Sequence, residues 1–79
     1  IDIVAQKDDI VYFVEVKYRK QPNQGGGLAA ITSKKLQQMT FAAKIYAQAN
    51  RLREVDMRLA VVSATGDPPE VEEFIILSE

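Results

Sequence analysis

The chain of 79 residues contains no cysteine and no histidine. Without cysteine there are neither disulfides nor thiolate metal ligands, which suits a reducing cytoplasm. Without histidine, the usual zinc ligand and the usual general base near neutrality are missing too. A metal ion bound by side chains must then be held by oxygen, which points to magnesium, manganese or calcium. No apolar run approaches membrane-spanning length and no signal peptide is visible, so a membrane is not an expected partner. Internal repeats and low-complexity tracts are absent. The chain also lacks an initiator methionine and opens on Ile1, already inside a strand pattern. A strand at a free end frays unless something holds it, so an upstream segment is expected.

What is present describes an ordinary globular domain. Apolar residues make up 47% and charged residues 27% of the chain, so residues 1–79 read as a single domain near the lower size limit for a self-sufficient core. The net charge of −1 conceals an asymmetry. Residues 17–58 carry nine of the ten basic residues and only Glu54 and Asp56 as acids, a local net of +7, against −8 for the remainder. Such a distribution suggests a positive surface around one site, although solvated helix charge gives the same pattern.

The strongest local signal runs from Ile10 to Tyr18, rich in β-branched and aromatic residues. At strand period one face carries Ile10, Tyr12, Val14, Val16 and Tyr18. The other carries Val11 and Phe13, then Glu15 and Lys17. Charges at the end of a buried strand cost free energy to desolvate, so this pair marks either a site or a structural ion pair. Residues 1–6 alternate as well, and Lys7-Asp8-Asp9 is a polar break, which together predict a β-hairpin. A two-residue turn at Asp8-Asp9 sets Lys7 opposite Ile10, Val4 opposite Phe13, Ile3 opposite Val14 and Asp2 opposite Glu15. A one-residue slip would move Asp2 to the wrong face. In the favoured register the Asp2 and Glu15 β-carbons stand about 5 Å apart, and a divalent cation would turn their repulsion into attraction.

Arg19 to Gly27 reads as a loop, ending in Gly25-Gly26-Gly27. No Gly-Lys-Ser/Thr follows, so it is not a P-loop. Thr32 or Ser33 can cap a helix running to about Asn50 or Arg53. Helical period places Leu36, Met39, Ala42, Ala43, Tyr46 and Ala49 on the sheet-facing arc. Lys35 falls within that arc and either snorkels out or reaches the hairpin. Phe41, Ile45 and Leu52 form a second stripe, a face on which a homodimer or an upstream segment could pack. Asp56 to Ala64 reads as a third strand parallel to the second, Thr65 to Pro69 as a turn, and Val71 to Leu77 as an edge strand.

An aspartate on the first hairpin strand, Glu-x-Lys on the second and a crossover helix bearing an inward lysine resemble the PD-(D/E)XK nuclease superfamily. Asp2 matches its metal-binding aspartate, and Glu15-Val16-Lys17 its (D/E)-x-K element. Ile1-Asp2-Ile3-Val4-Ala5, Phe13-Val14-Glu15-Val16-Lys17 and Ala30-Ile31-Thr32, followed by Lys34-Lys35 and Ala42-Ala43, are similar to the YraN family of predicted endonucleases, distant relatives of archaeal Holliday-junction resolvases. The resemblance implies an α/β, restriction-endonuclease-like mixed sheet: a hairpin, a crossover helix and two further strands, with an N-terminal helix and strand ahead of Ile1. It also implies Mg²⁺ or Mn²⁺ held by Asp2, Glu15 and the Val16 carbonyl. Lys17 and Lys35 would then be catalytic, and Arg19, Lys20 and Lys34 would contact the phosphates of a nucleic acid, most readily DNA. The helix lysine is often followed by glutamine in that family. Leu36 stands here, which leaves Gln37 or Gln38 as substitutes. The competing reading is a module of the same fold that binds or assembles without cleaving.

Overall fold

The computed structural model describes residues 1–20 and 31–78. The strands are β1 (Ile3–Lys7), β2 (Ile10–Arg19), β3 (Asp56–Thr65) and β4 (Glu70–Ser78), with one helix, α1 (Ser33–Ala49), between β2 and β3. They form one mixed sheet in the order β1-β2-β3-β4. β1 and β2 are antiparallel, β2 and β3 parallel, and β3 and β4 antiparallel. The architecture is α/β, as the alternation of strand and helix patterns predicts.

The hairpin register is the one the apolar match favours, with Ile3 opposite Val14, Val4 opposite Phe13 and Lys7 opposite Ile10. Asp8 takes the left-handed conformation at φ 56°, which a short polar side chain tolerates and a β-branched one does not. The ladder ends one residue sooner than the pattern suggests. At Asp2 the backbone N–H donates to the Val14 carbonyl at 2.9 Å, so Asp2 does not continue the strand pairing toward Glu15.

The core lies between α1 and one face of the sheet, where Val11, Phe13, Met39, Ala43 and Leu59 are buried together, flanked by Leu36, Leu52, Val55 and Leu77. Phe13 is fully buried and meets the Tyr46 ring edge-on at 5.6 Å between centroids, an arrangement aromatic quadrupoles favour. The helix rests on a narrower face than helical period suggests. Its buried residues are Met39, Ala43 and Ala47, whereas Ala42 and Ala49 are exposed. In an alanine-rich helix the large side chains fix the rotation, and Met39 with Phe13 does so here. Leu52 packs against the core rather than joining Phe41 and Ile45, which stay exposed at 65% and 49%.

Arg19 is the last residue of β2 rather than the start of a loop. The glycine run expected to follow lies outside the described residues. The turn between β3 and β4 carries Gly66 at φ +91°, a conformation that L side chains rarely adopt. β4 is an edge strand, as its acidic composition suggests.

Candidate functional site

Glu15 is the organising group. It sits in β2, which is paired on both sides, and it is buried at 6% exposure. Because β2 alternates, Glu15 shares the helix-covered face with Val11, Phe13 and Lys17. Lys35 reaches it from the first turn of α1, its Nζ 2.8 Å from Glu15 Oε2. Lys17 Nζ stands 3.7 Å from the same oxygen. Of the two courses open to Lys35, the structure shows the inward one. Thr32 positions it: the cap's Oγ1 accepts the Lys35 backbone N–H at 3.1 Å, which fixes the helix start so that the lysine points along the sheet.

The two carboxylate oxygens differ. Oε2 meets two ammonium groups, while Oε1 is buried without a hydrogen-bond partner. The Ile1 amino group lies 3.3 Å from Oε1, close enough for Coulomb attraction but without hydrogen-bond geometry. That nitrogen is charged only while Ile1 is the first residue. Burial by itself pushes the Glu15 carboxyl up. The Lys35 ammonium hydrogen-bonded to it and the Ile1 amino group outweigh burial and hold it below its ordinary value.

Asp2 occupies the β1 side of the same strand. Its Oδ2 accepts the Val16 N–H at 2.8 Å. Asp2 is thus tied to the residues on either side of Glu15, Val14 and Val16. Asp2 is exposed and Glu15 buried.

Of the expected phosphate contacts, Lys20 directly follows β2 and Lys34 lies beside Lys35 in the first turn of α1, both exposed. Arg19 is half-buried, and its carbonyl accepts the Gly66 N–H at 3.2 Å. That first helical turn contains no acidic residue, so the positive end of the helix macrodipole is left uncompensated and reinforced by two lysines.

Three neighbours escaped the sequence reading. Ser63, buried at 4%, pairs with Lys17 across the parallel ladder. Glu73 pairs with Ser63 on the far side, which puts Lys17, Ser63 and Glu73 in one row on one face. Only the register of a crossover connection reveals that row. Tyr18, on the opposite face, donates its hydroxyl to the Gly66 carbonyl at 2.7 Å and ties the end of β2 to the β3–β4 turn.

Among the described residues no three carboxylate, histidine or cysteine side chains come together as a metal cluster. The donors here are two carboxylates and a backbone carbonyl. Such a set suits only an ion that keeps several of its own waters, which is magnesium-like behaviour. Oε1, which carries no hydrogen bond and faces only the Ile1 amino group, is the Glu15 oxygen that the lysines leave open to such an ion.

The fold and site define a small α/β domain with a mixed four-stranded sheet and a buried glutamate bracketed by lysines. The chain belongs to the family described as "Uncharacterised protein family UPF0102", whose model matches residues 1–64, and which is the YraN family. It is 39% identical over 71 residues to a UPF0102 protein of Neisseria gonorrhoeae (strain NCCP11945), covering 89% of this chain and 62% of the relative. A UPF0102 protein of Sulfurihydrogenibium sp. (strain YO3AOP1) is 39% identical over 67 residues, 85% of this chain and 58% of that one. A UPF0102 protein of Xanthomonas campestris pv. campestris (strain B100) is 34% identical over 70 residues, 87% and 57% of the two chains. The chain spans about three fifths of the length of these relatives. No solved structure matches it significantly. No helix among the described residues is long and apolar enough to cross a membrane.

Proposed function

We propose that this chain carries the cleavage centre of a metal-dependent endonuclease with a restriction-endonuclease-like fold, acting on DNA, with branched or junction DNA among the substrates to be tested. The observation that carries the reading is the Glu15 carboxylate: buried, with two lysines on one oxygen, no hydrogen bond to the other, and Asp2 hydrogen-bonded to the next residue, Val16, on β1's side of the strand. Asp2, Glu15 and the Val16 carbonyl would hold Mg²⁺ or Mn²⁺. Such an ion supplies a water of lowered pKa and neutralises charge at a scissile phosphate. Lys17 orients the attacking water or stabilises charge developing on the phosphate, which a flexible point charge does well. Lys35 is the second positive group at that phosphate. Lys20, Lys34 and Arg19 contact backbone phosphates, positioning the nucleic acid without reading its sequence.

The test is a thermal-shift titration with Mn²⁺ and Mg²⁺, followed by cleavage of linear duplex and four-way-junction DNA. Metal should raise the melting temperature and support cleavage, and Asp2→Ala should remove both effects. A protein indifferent to either ion would sink the nuclease reading. A second reading, an assembly module of the same fold without cleavage, is favoured by the exposure of Phe41 and Ile45 on the outer side of α1. It predicts metal-independent self-association that Phe41→Glu disrupts.

A further inference from the structure

We propose that the Lys35 ammonium on one oxygen of Glu15 opposes a divalent cation at the same carboxylate, so that ammonium and metal compete for Glu15 and loading the metal releases Lys35 toward the phosphate. The inference rests on the metal-site reading above and adds how that site is gated.

The argument begins with charge. Apart from the Ile1 amino group, which already faces Glu15 Oε1 while Ile1 is the first residue, the two carboxylates of Asp2 and Glu15 are matched in number by the Lys17 and Lys35 ammonium groups. A divalent cation entering beside Glu15 brings two uncompensated positive charges next to two ammonium groups. Because Glu15 is buried, water screens that repulsion poorly. One ammonium must withdraw. Lys17 is anchored on β2 itself, two residues from Glu15. Both lysine side chains are 32% exposed, but Lys35 arrives from the tip of α1 and makes the closer contact, so it meets the ion's repulsion most directly, and rotation of its four-carbon stem takes it into water with no change in the backbone. A phosphodiester at the site would then give the released ammonium a new partner. Metal and phosphate should therefore reinforce each other, and by linkage each must raise the affinity of the other by the same factor.

The competition is open to calorimetric titration of Mn²⁺ into the wild-type protein, Lys35→Met and Glu15→Gln. Lys35→Met keeps the length of the side chain and removes the charge. It should bind Mn²⁺ at least about fivefold more tightly than wild type in the absence of nucleic acid, the low end of typical site-to-site coupling. Equal or weaker binding overturns the competition. A measurement on the wild type covers the case of a variant that folds poorly. The Lys35 side-chain ammonium ¹⁵N resonance should be hydrogen-bonded and slowly exchanging in chelator, and should lose that protection at saturating Mg²⁺. Its survival under saturating Mg²⁺ would equally overturn the proposal. The parent reading fails in a different way, through no Mn²⁺ binding to wild type or through binding that Glu15→Gln leaves intact.

Discussion

At the scale of single residues, Glu15 sets the acid response of the fold. Its neighbours keep its pKa below the ordinary value, which is about 4.3. A depressed carboxyl contributes stability that is complete above that ordinary value and is lost as pH falls through the folded-state pKa. Wild type should therefore lose more stability than Glu15→Gln between about pH 5 and pH 2, as measured by urea midpoints across that range. A second expectation concerns the lysines. Replacing either one by methionine leaves Glu15 the other lysine and the Ile1 amino group and should cost about 1 kcal/mol or less, since both lysine ammonium groups are partly exposed. Replacing both leaves the buried carboxylate only the Ile1 amino group, which should cost more than the two single changes together, up to about 3 kcal/mol, and raise its pKa. Non-additive urea midpoints would establish this, and additive ones would argue against a shared site. Glu15 and Lys17 were legible in the sequence because strand alternation puts them on the face of Val11 and Phe13. Ser63 and Glu73 were not, since nothing local tells which β3 residue lies beside Lys17.

At the scale of elements, α1 begins in a conflict that suits a binding site. Its first turn holds Lys34 and Lys35 and no acid, against the preference of the helix N-terminus for negative charge. Lys34→Glu should stabilise the protein by about 0.3–1 kcal/mol while weakening any nucleic-acid binding. Chemical denaturation and filter binding would expose that opposition, and a variant improved or impaired in both would remove Lys34 from the interface. Thr32→Ala should cost about 1 kcal/mol through loss of the cap, and it should loosen the Lys35 contact because the cap fixes where the helix starts. The extent of α1 was readable from Thr32 and the periodic residues after it. Its rotation was not, because Ala42, Ala43, Ala47 and Ala49 differ too little in size for period alone to choose among them. Packing of Met39 beneath Phe13's strand made the choice.

At the scale of the whole molecule, Lys17, Arg19 and Lys20 at the end of β2 and Lys34 and Lys35 at the start of α1 make one basic group, while Asp8 and Asp9 lie at the hairpin turn and Glu70, Glu72 and Glu73 on β4. Binding to DNA should weaken steeply with salt. Neutralising Lys20 and Lys34 together should flatten the log–log salt slope by about 2 and leave sequence preference unchanged. The far face of the sheet, with Ile3, Val71, Phe74 and Ile76 exposed, is as apolar as the hairpin alternation implies. β2 is bonded to a strand on either side, whereas Asp2 lies just ahead of β1, the outer strand among the described residues, and is tied down by two hydrogen bonds to β2. An ion seated between them would meet one rigid wall and one yielding wall. Differences in ionic radius would then be absorbed on the Asp2 side, so exchanging magnesium for the larger manganese or calcium should perturb the amide signals of residues 1–3 and leave those of 14–16 almost still.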